Sequence, residues 1–207
     1  MDSEQFNREL EAAEEKSYWD RKARWLLIFW AIAAWAVMGW RVYTKLPRPM
    51  IQLTIAAQFG VFLIALARSE RFRNWLCTLD VPALTLFQYW RLAPGWAFLW
   101  FHTHRAYFPT GFSNPAGYGD IAVAITALPA AYLAYKGWRR TVLGWHILAM
   151  SDLFMVISLA ARFGMRDPQT MSPFAEYPFA MLPLMLVPLS LMAHSAAILQ
   201  LLRKPHE

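Results

Sequence analysis

From residue 25 onward the chain alternates long apolar runs with short basic connectors. The longest run, residues 177–202, passes 26 positions without Asp, Glu, Lys or Arg and is broken only by His194. About 20 apolar residues in a helix cross a hydrocarbon core of roughly 30 Å, so this run is long enough to cross a bilayer with room to tilt. Five more runs precede it. The first, residues 25–43, lies between Arg24 and the Lys45–Arg48 pair, and the second, residues 49–67, opens on Pro49 and stops at Arg68. The third, residues 81–101, holds Arg91 near its midpoint together with Pro94 and Gly95. The fourth, residues 121–135, has 15 residues and needs Tyr118, Gly119 and Asp120 to approach the required length. The fifth, residues 141–161, carries His146 and Asp152, and in the sixth Pro183 and Pro188 are placed to bend the helix.

This pattern predicts an all-α polytopic membrane protein, a bundle of six transmembrane helices over residues 23–204, preceded by a cytoplasmic amphipathic segment, residues 1–22. Six crossings put both ends of the chain on one side. That side carries 13 Lys and Arg against six on the other, with Arg91 left in the membrane. The excess places both termini in the cytoplasm. Residues 1–20 are acidic and lack a leading basic region, so they do not read as a cleavable signal peptide. Glu11 to Lys16 is a good surface-helix sequence instead.

Composition agrees with the pattern. A hydrophobic share of 57%, a charged share of 16% and a mean hydropathy of +0.26 leave too little polar surface for an ordinary soluble domain. The formal charge of +6 sits in the connectors, where anionic membrane lipids are the natural counter-charge, and no nucleic-acid motif accompanies it. A single cysteine, Cys77, excludes an internal disulfide and a thiolate metal cluster within one subunit. No phosphate loop, hydrolase elbow or zinc-protease helix occurs, so no reaction is assigned.

The chemistry worth weighing lies in the few polar residues inside the apolar runs. A mid-membrane charge costs roughly 2.5–3.5 kcal/mol on insertion scales and so faces a partner or a wet cavity. Counted at about 1.5 Å per residue, Arg91 lies about 16 Å and Asp152 about 17 Å from the cytoplasmic edge, close enough in depth to pair. Gln88, three residues before Arg91, offers this pair a further hydrogen-bonding group. Either the pair fixes how two helices pack, or Arg91 anchors an anionic or quinone-like headgroup with Asp152 as counter-ion or proton carrier. His146 and His194 fall about 8 and 14 Å deep; two imidazoles in one layer suit proton relay, hydrogen bonding or the axial ligation of haem. On the outer side His102, His104, Arg105, Asn114 and Asp120 are candidates for a binding cup. The glycines and proline before Asp120 equally read as a tight turn, with Asp120 in the first turn of the fourth helix.

The set Gln88, Arg91, Gly95, then Pro-Ala-Gly-x-Gly-Asp at residues 115–120, His146, Asp152, Pro183, Pro188 and His194 resembles an uncharacterised family of small bacterial multi-pass inner-membrane proteins. The likeness covers roughly residues 84–202 and implies a bacterial inner membrane, but no reaction and no haem.

Four functions are compatible with this reading: proton-coupled movement of a small solute past the polar interior, a redox protein that holds haem or meets quinone through His146 and His194, a non-catalytic accessory subunit of a larger membrane complex, and, least supported, an intramembrane enzyme acting on lipid. With six helices and no inverted repeat, a carrier of this size is expected to form a homodimer.

Overall fold

The computed structural model describes residues 3–42, 49–105 and 108–203, and in these the fold is all-α. Helix α1 spans Ser3–Gly39, α2 Pro49–Arg68 and α3 Glu70–Leu76. Helix α4, Val81–Phe87, continues through a 3₁₀ turn, Gln88–Arg91, into α5, Leu92–Arg105. Then follow α6, Thr110–Tyr135, α7, Arg139–Arg166, a 3₁₀ segment, Pro168–Ala175, a π turn, Leu182–Leu186, and α8, Val187–Leu202. Five helical stretches are long and apolar enough to cross a membrane. The third apolar run is helical throughout residues 81–105, but in three consecutive pieces. The expected N-terminal segment and the first apolar helix form one continuous helix, and the expected end of that helix at Tyr43 lies outside the described residues.

The local chemistry accounts for these breaks. Ser69 caps α3 by accepting from the Phe72 amide at 3.2 Å, and Asp80 caps α4 by accepting from Ala83 at 3.1 Å. Pro94 has no N–H to offer the Trp90 carbonyl four residues back, and the backbone tightens to 3₁₀ just before it. Where α6 meets α7, Gly137 takes φ of +78°, a conformation that costs glycine nothing. Pro188 likewise frees the Leu184 carbonyl. The indole N–H of Trp30, from α1, donates to it at 2.9 Å, so the kinked start of the last helix is satisfied by a neighbouring helix.

One sequence expectation is corrected here. Residues 110–120 are not a turn: α6 starts straight after Pro109, at Thr110, and runs through Pro115, so Asp120 is in its third turn rather than its first. The glycines serve helix contact instead of chain reversal. A Cβ on Gly95 of α5 would stand 2.9 Å from the Gly117 carbonyl oxygen of α6, and one on Gly117 would stand 2.9 Å from that of Gly95. Small residues at such a crossing bring two backbones together.

The distribution of side chains is inverted relative to a soluble protein. Trp25, Phe29, Ile32, Val61, Ile64 and Leu148 are all exposed by more than 60%, whereas Thr85, Gln88, Arg91, His146, Ser190 and His194 are fully buried. Only an apolar solvent suits such an outside. Phe98, Phe108, Phe112, Phe174 and Phe179 pack ring on ring at the end where α5 finishes. At the other end Trp75 donates to Asp20 at 2.9 Å, Gln200 to the Leu76 carbonyl at 2.9 Å, and Arg139 to the carbonyls of Gln200 and Leu201. The start of the first apolar helix, α3, the α6–α7 junction and the C-terminal end of α8 are thereby gathered together.

Candidate functional site: a buried polar ladder beside an apolar crevice

Arg91 is the centre of the site. The 3₁₀ turn has three residues per turn, so Gln88 and Arg91 eclipse and both point inward. The Arg91 guanidinium donates from Nε to Asp120 Oδ1 at 2.6 Å, from one terminal nitrogen to the Ala149 carbonyl at 3.2 Å, and from the other to Asp152 Oδ2. That last nitrogen is also 2.6 Å from Asp120 Oδ1. The Arg91 side chain is fully buried, and the Asp120 and Asp152 side chains are 6% and 18% exposed. The approach of α5 to α6 at Gly95 and Gly117 is what lets Arg91 reach Asp120. Gly119 makes the matching gap for Asp152, whose carboxylate occupies the space a Cβ on Gly119 would need.

The pairing of Arg91 with Asp152 expected from depth is therefore present, and Asp120 joins it. Asp120 is not part of an outward cup. Its place in the cluster could have been seen by setting Arg91 and Gly95 of one helix, four apart, against Gly117 and Asp120 of the next, three apart. The two histidines of the expected cup have local duties. His102 Nδ1 meets the Phe108 carbonyl at 2.8 Å and its Nε2 meets Thr110 Oγ1 at 3.3 Å; His104 Nδ1 meets the Trp100 carbonyl at 2.9 Å and its ring stacks on Trp100. The Arg105 side chain lies outside what the structure describes.

Two further rungs sit along the same helices. Ser190 of α8 donates to Gln88 Oε1, while Gln88 Nε2 is buried without a partner. Gln88 thus bonds Ser190 rather than adding to the Arg91 pair. One turn further on each helix, Thr85 Oγ1 is 3.0 Å from His146 Nε2, and His146 Nδ1 is 2.9 Å from His194 Nδ1. His194 Nε2 is buried and unpartnered. The rungs are Thr85–His146–His194, then Gln88–Ser190, then Arg91–Asp120–Asp152. Nothing in the sequence marks Thr85, because a threonine in an apolar helix usually bonds only its own preceding turn.

Haem does not fit this arrangement. Two axial imidazoles must stand on opposite faces of a macrocycle with iron between them, whereas these rings touch, with centroids 5.1 Å apart. Among the described residues no group of three or more His, Cys, Asp or Glu is placed to hold a metal ion.

Beside the ladder runs a crevice of about 60 Å³, walled by α2, α7, the π turn and the Pro168–Ala175 segment. Ile55, Phe98, Leu153, Val156, Met171 and Leu182 are among its apolar residues, and Asp120 is its one charged side chain. Trp90 also lines it, and the Trp90 indole N–H is buried without an acceptor.

Residues 49–202, from the start of α2 to the end of α8, match the family described as Domain of unknown function (DUF8737). The chain belongs to this family. Among curated proteins and among solved structures nothing matches. The DUF8737 region includes every rung of the ladder and the whole crevice. It leaves out α1, whose Trp30 nevertheless satisfies the Leu184 carbonyl.

Proposed function

We propose that this DUF8737 chain is a six-crossing membrane protein that couples the movement of a proton to that of a small, largely apolar solute. Residues 81–105 form the sixth crossing, the exposed aromatic and aliphatic faces meet lipid, and both termini lie in the cytoplasm of a bacterial inner membrane. The gathering of both chain ends at one end of the bundle supports an even number of crossings, and the excess of Lys and Arg there supports the orientation.

The observation that carries this reading is the composition of the buried cluster, one guanidinium with two carboxylates. With both carboxylates ionised it would hold one uncompensated negative charge inside the membrane, which is costly. A proton shared by Asp120 and Asp152 removes that charge, and Asp120 presents it to the crevice. An added anion does not suit Arg91, because its guanidinium already faces two carboxylates and a carbonyl, and a third negative group would add to the excess of negative charge. A solute with an apolar body and a hydrogen-bonding end suits a crevice with Asp120 and the Trp90 N–H in its wall.

The test is proton movement across liposomes loaded with a pH-sensitive dye and clamped with potassium and valinomycin. Wild-type protein is expected to speed acidification above protein-free liposomes, and Asp120→Asn to remove the increment. Equal rates in all three, both without solute and with small alcohols and phenols added as probe solutes, would overturn the reading. They would favour the accessory-subunit alternative, for which the joining of three helical segments by Arg91 is the supporting observation: a buried ion cluster of this kind fixes helix packing without any traffic.

A further inference from the structure

Proton bookkeeping along the first rung leads to a second station for the proton. Thr85 Oγ1 stands 2.8 Å from the Val81 carbonyl oxygen, and two oxygens at that distance need the hydroxyl proton between them. Thr85 has no second proton, so it accepts from His146, which makes His146 the Nε2–H tautomer. His146 Nδ1 is then bare, and the 2.9 Å contact requires His194 to donate its Nδ1–H. His194 Nε2 is left as a lone pair, fully buried and with no partner. It lies one helical turn from Ser190, which holds Gln88, and the Gln88 amide nitrogen is the other unpartnered polar atom of the ladder.

We propose that His194 Nε2 is the proton-accepting station of the intramembrane site, and that Thr85 and His146 are positioning residues that hold its lone pair available. The inference rests on the proton-carrying reading of Asp120 and Asp152. In the transfer, the O–H bond on the carboxyl pair breaks and an N–H bond forms at His194 Nε2. The imidazole becomes imidazolium and the acid becomes carboxylate. The ladder's total charge stays zero, with Arg91 and His194 positive and both aspartates negative, so the proton changes place without leaving net charge in the membrane. On the elements around the histidine pair, α4 carries Asp80 at its cap and leads to Arg91. Helix α6 carries Asp120, and α7 carries Arg139, Arg140, Asp152, Arg162 and Arg166. Helix α8 is followed by Arg203. Of these, Arg91, Asp120 and Asp152 are the charged groups of the ladder, while Arg139 is engaged with carbonyls at the C-terminal end of α8.

Solid-state NMR of ¹⁵N-histidine-labelled protein in liposomes, with the other three histidines replaced by glutamine, reads both tautomers directly. The expected spectrum shows one Nε2–H ring and one Nδ1–H ring. Thr85→Val is expected to mix the two tautomers, and Thr85→Ser to keep them. Two rings of one tautomer, or a Thr85→Val spectrum identical to wild type with the protein folded, would overturn the inference. Infrared spectra of the same samples separate this from the underlying reading. A protonated-carboxyl band that disappears in Asp120→Asn keeps the proton on the aspartates even if the tautomers are wrong, and its absence in wild type together with two neutral imidazoles in the ¹⁵N spectrum removes the proton itself.

Discussion

At residue 117 a hydrogen atom does what no larger group could. A Cβ there would come within 2.8 Å of Leu99 Cδ2 and 2.9 Å of the Gly95 carbonyl oxygen, closer than ordinary packing allows. Gly117→Ala is therefore expected to force α5 from α6 and cost about 1–3 kcal/mol of stability, measured as a lowered Tm in detergent. Gly60, in α2, has nothing within 4 Å of its Cβ position, so Gly60→Ala serves as the matched control and is expected to cause no loss. At this scale the sequence was readable in part. Arg91 and Asp152 could be paired because depth along two helices is a simple count. Asp120 is harder to place, because a glycine that permits helix contact and a glycine that permits a turn look alike, and only the matched spacings of Arg91 with Gly95 and of Gly117 with Asp120 point to the cluster. The histidines could be put in one layer, but only side-chain geometry shows that they touch.

Among the elements, the apolar runs were legible because lipid imposes a minimum length that no soluble helix must satisfy. The least legible was the start of α6. A stretch with two prolines and three glycines from residue 109 to 119 has poor helix propensity in water. Yet in the bundle its Phe112, Ala116 and Gly117 are buried against neighbours, and packing overrides propensity. Hydrogen–deuterium exchange checks this element. Amides from Ser113 to Asp120 are expected to be protected as strongly as those of residues 121–130, whereas exchange at loop-like rates across this stretch would contradict a helix starting at Thr110. The breaks in the third and sixth apolar runs were foreshadowed by Pro94, Pro183 and Pro188. The group that satisfies the freed Leu184 carbonyl, Trp30, lies 154 positions away and carries no signal in the local pattern.

At the scale of the whole molecule, three helical segments that are distant in sequence, residues 88–91, α6 and α7, are held together by one guanidinium. Apolar packing alone discriminates weakly between helix arrangements in lipid, where the surroundings are as apolar as the side chains. A buried cluster of opposite charges discriminates strongly, since any other arrangement leaves a charge alone in the membrane. In the proposed function the same cluster is where the proton sits, next to the crevice that Asp120 lines. The most direct test compares the unfolding free energy in lipid micelles of Arg91→Met with that of the triple variant Arg91→Met, Asp120→Asn, Asp152→Asn. The account predicts that the single variant loses about 3–5 kcal/mol and that the triple variant recovers most of it, because no carboxylate is left without its partner. A triple variant no more stable than the single one would contradict the buried cluster on which the fold and the proposed function both stand.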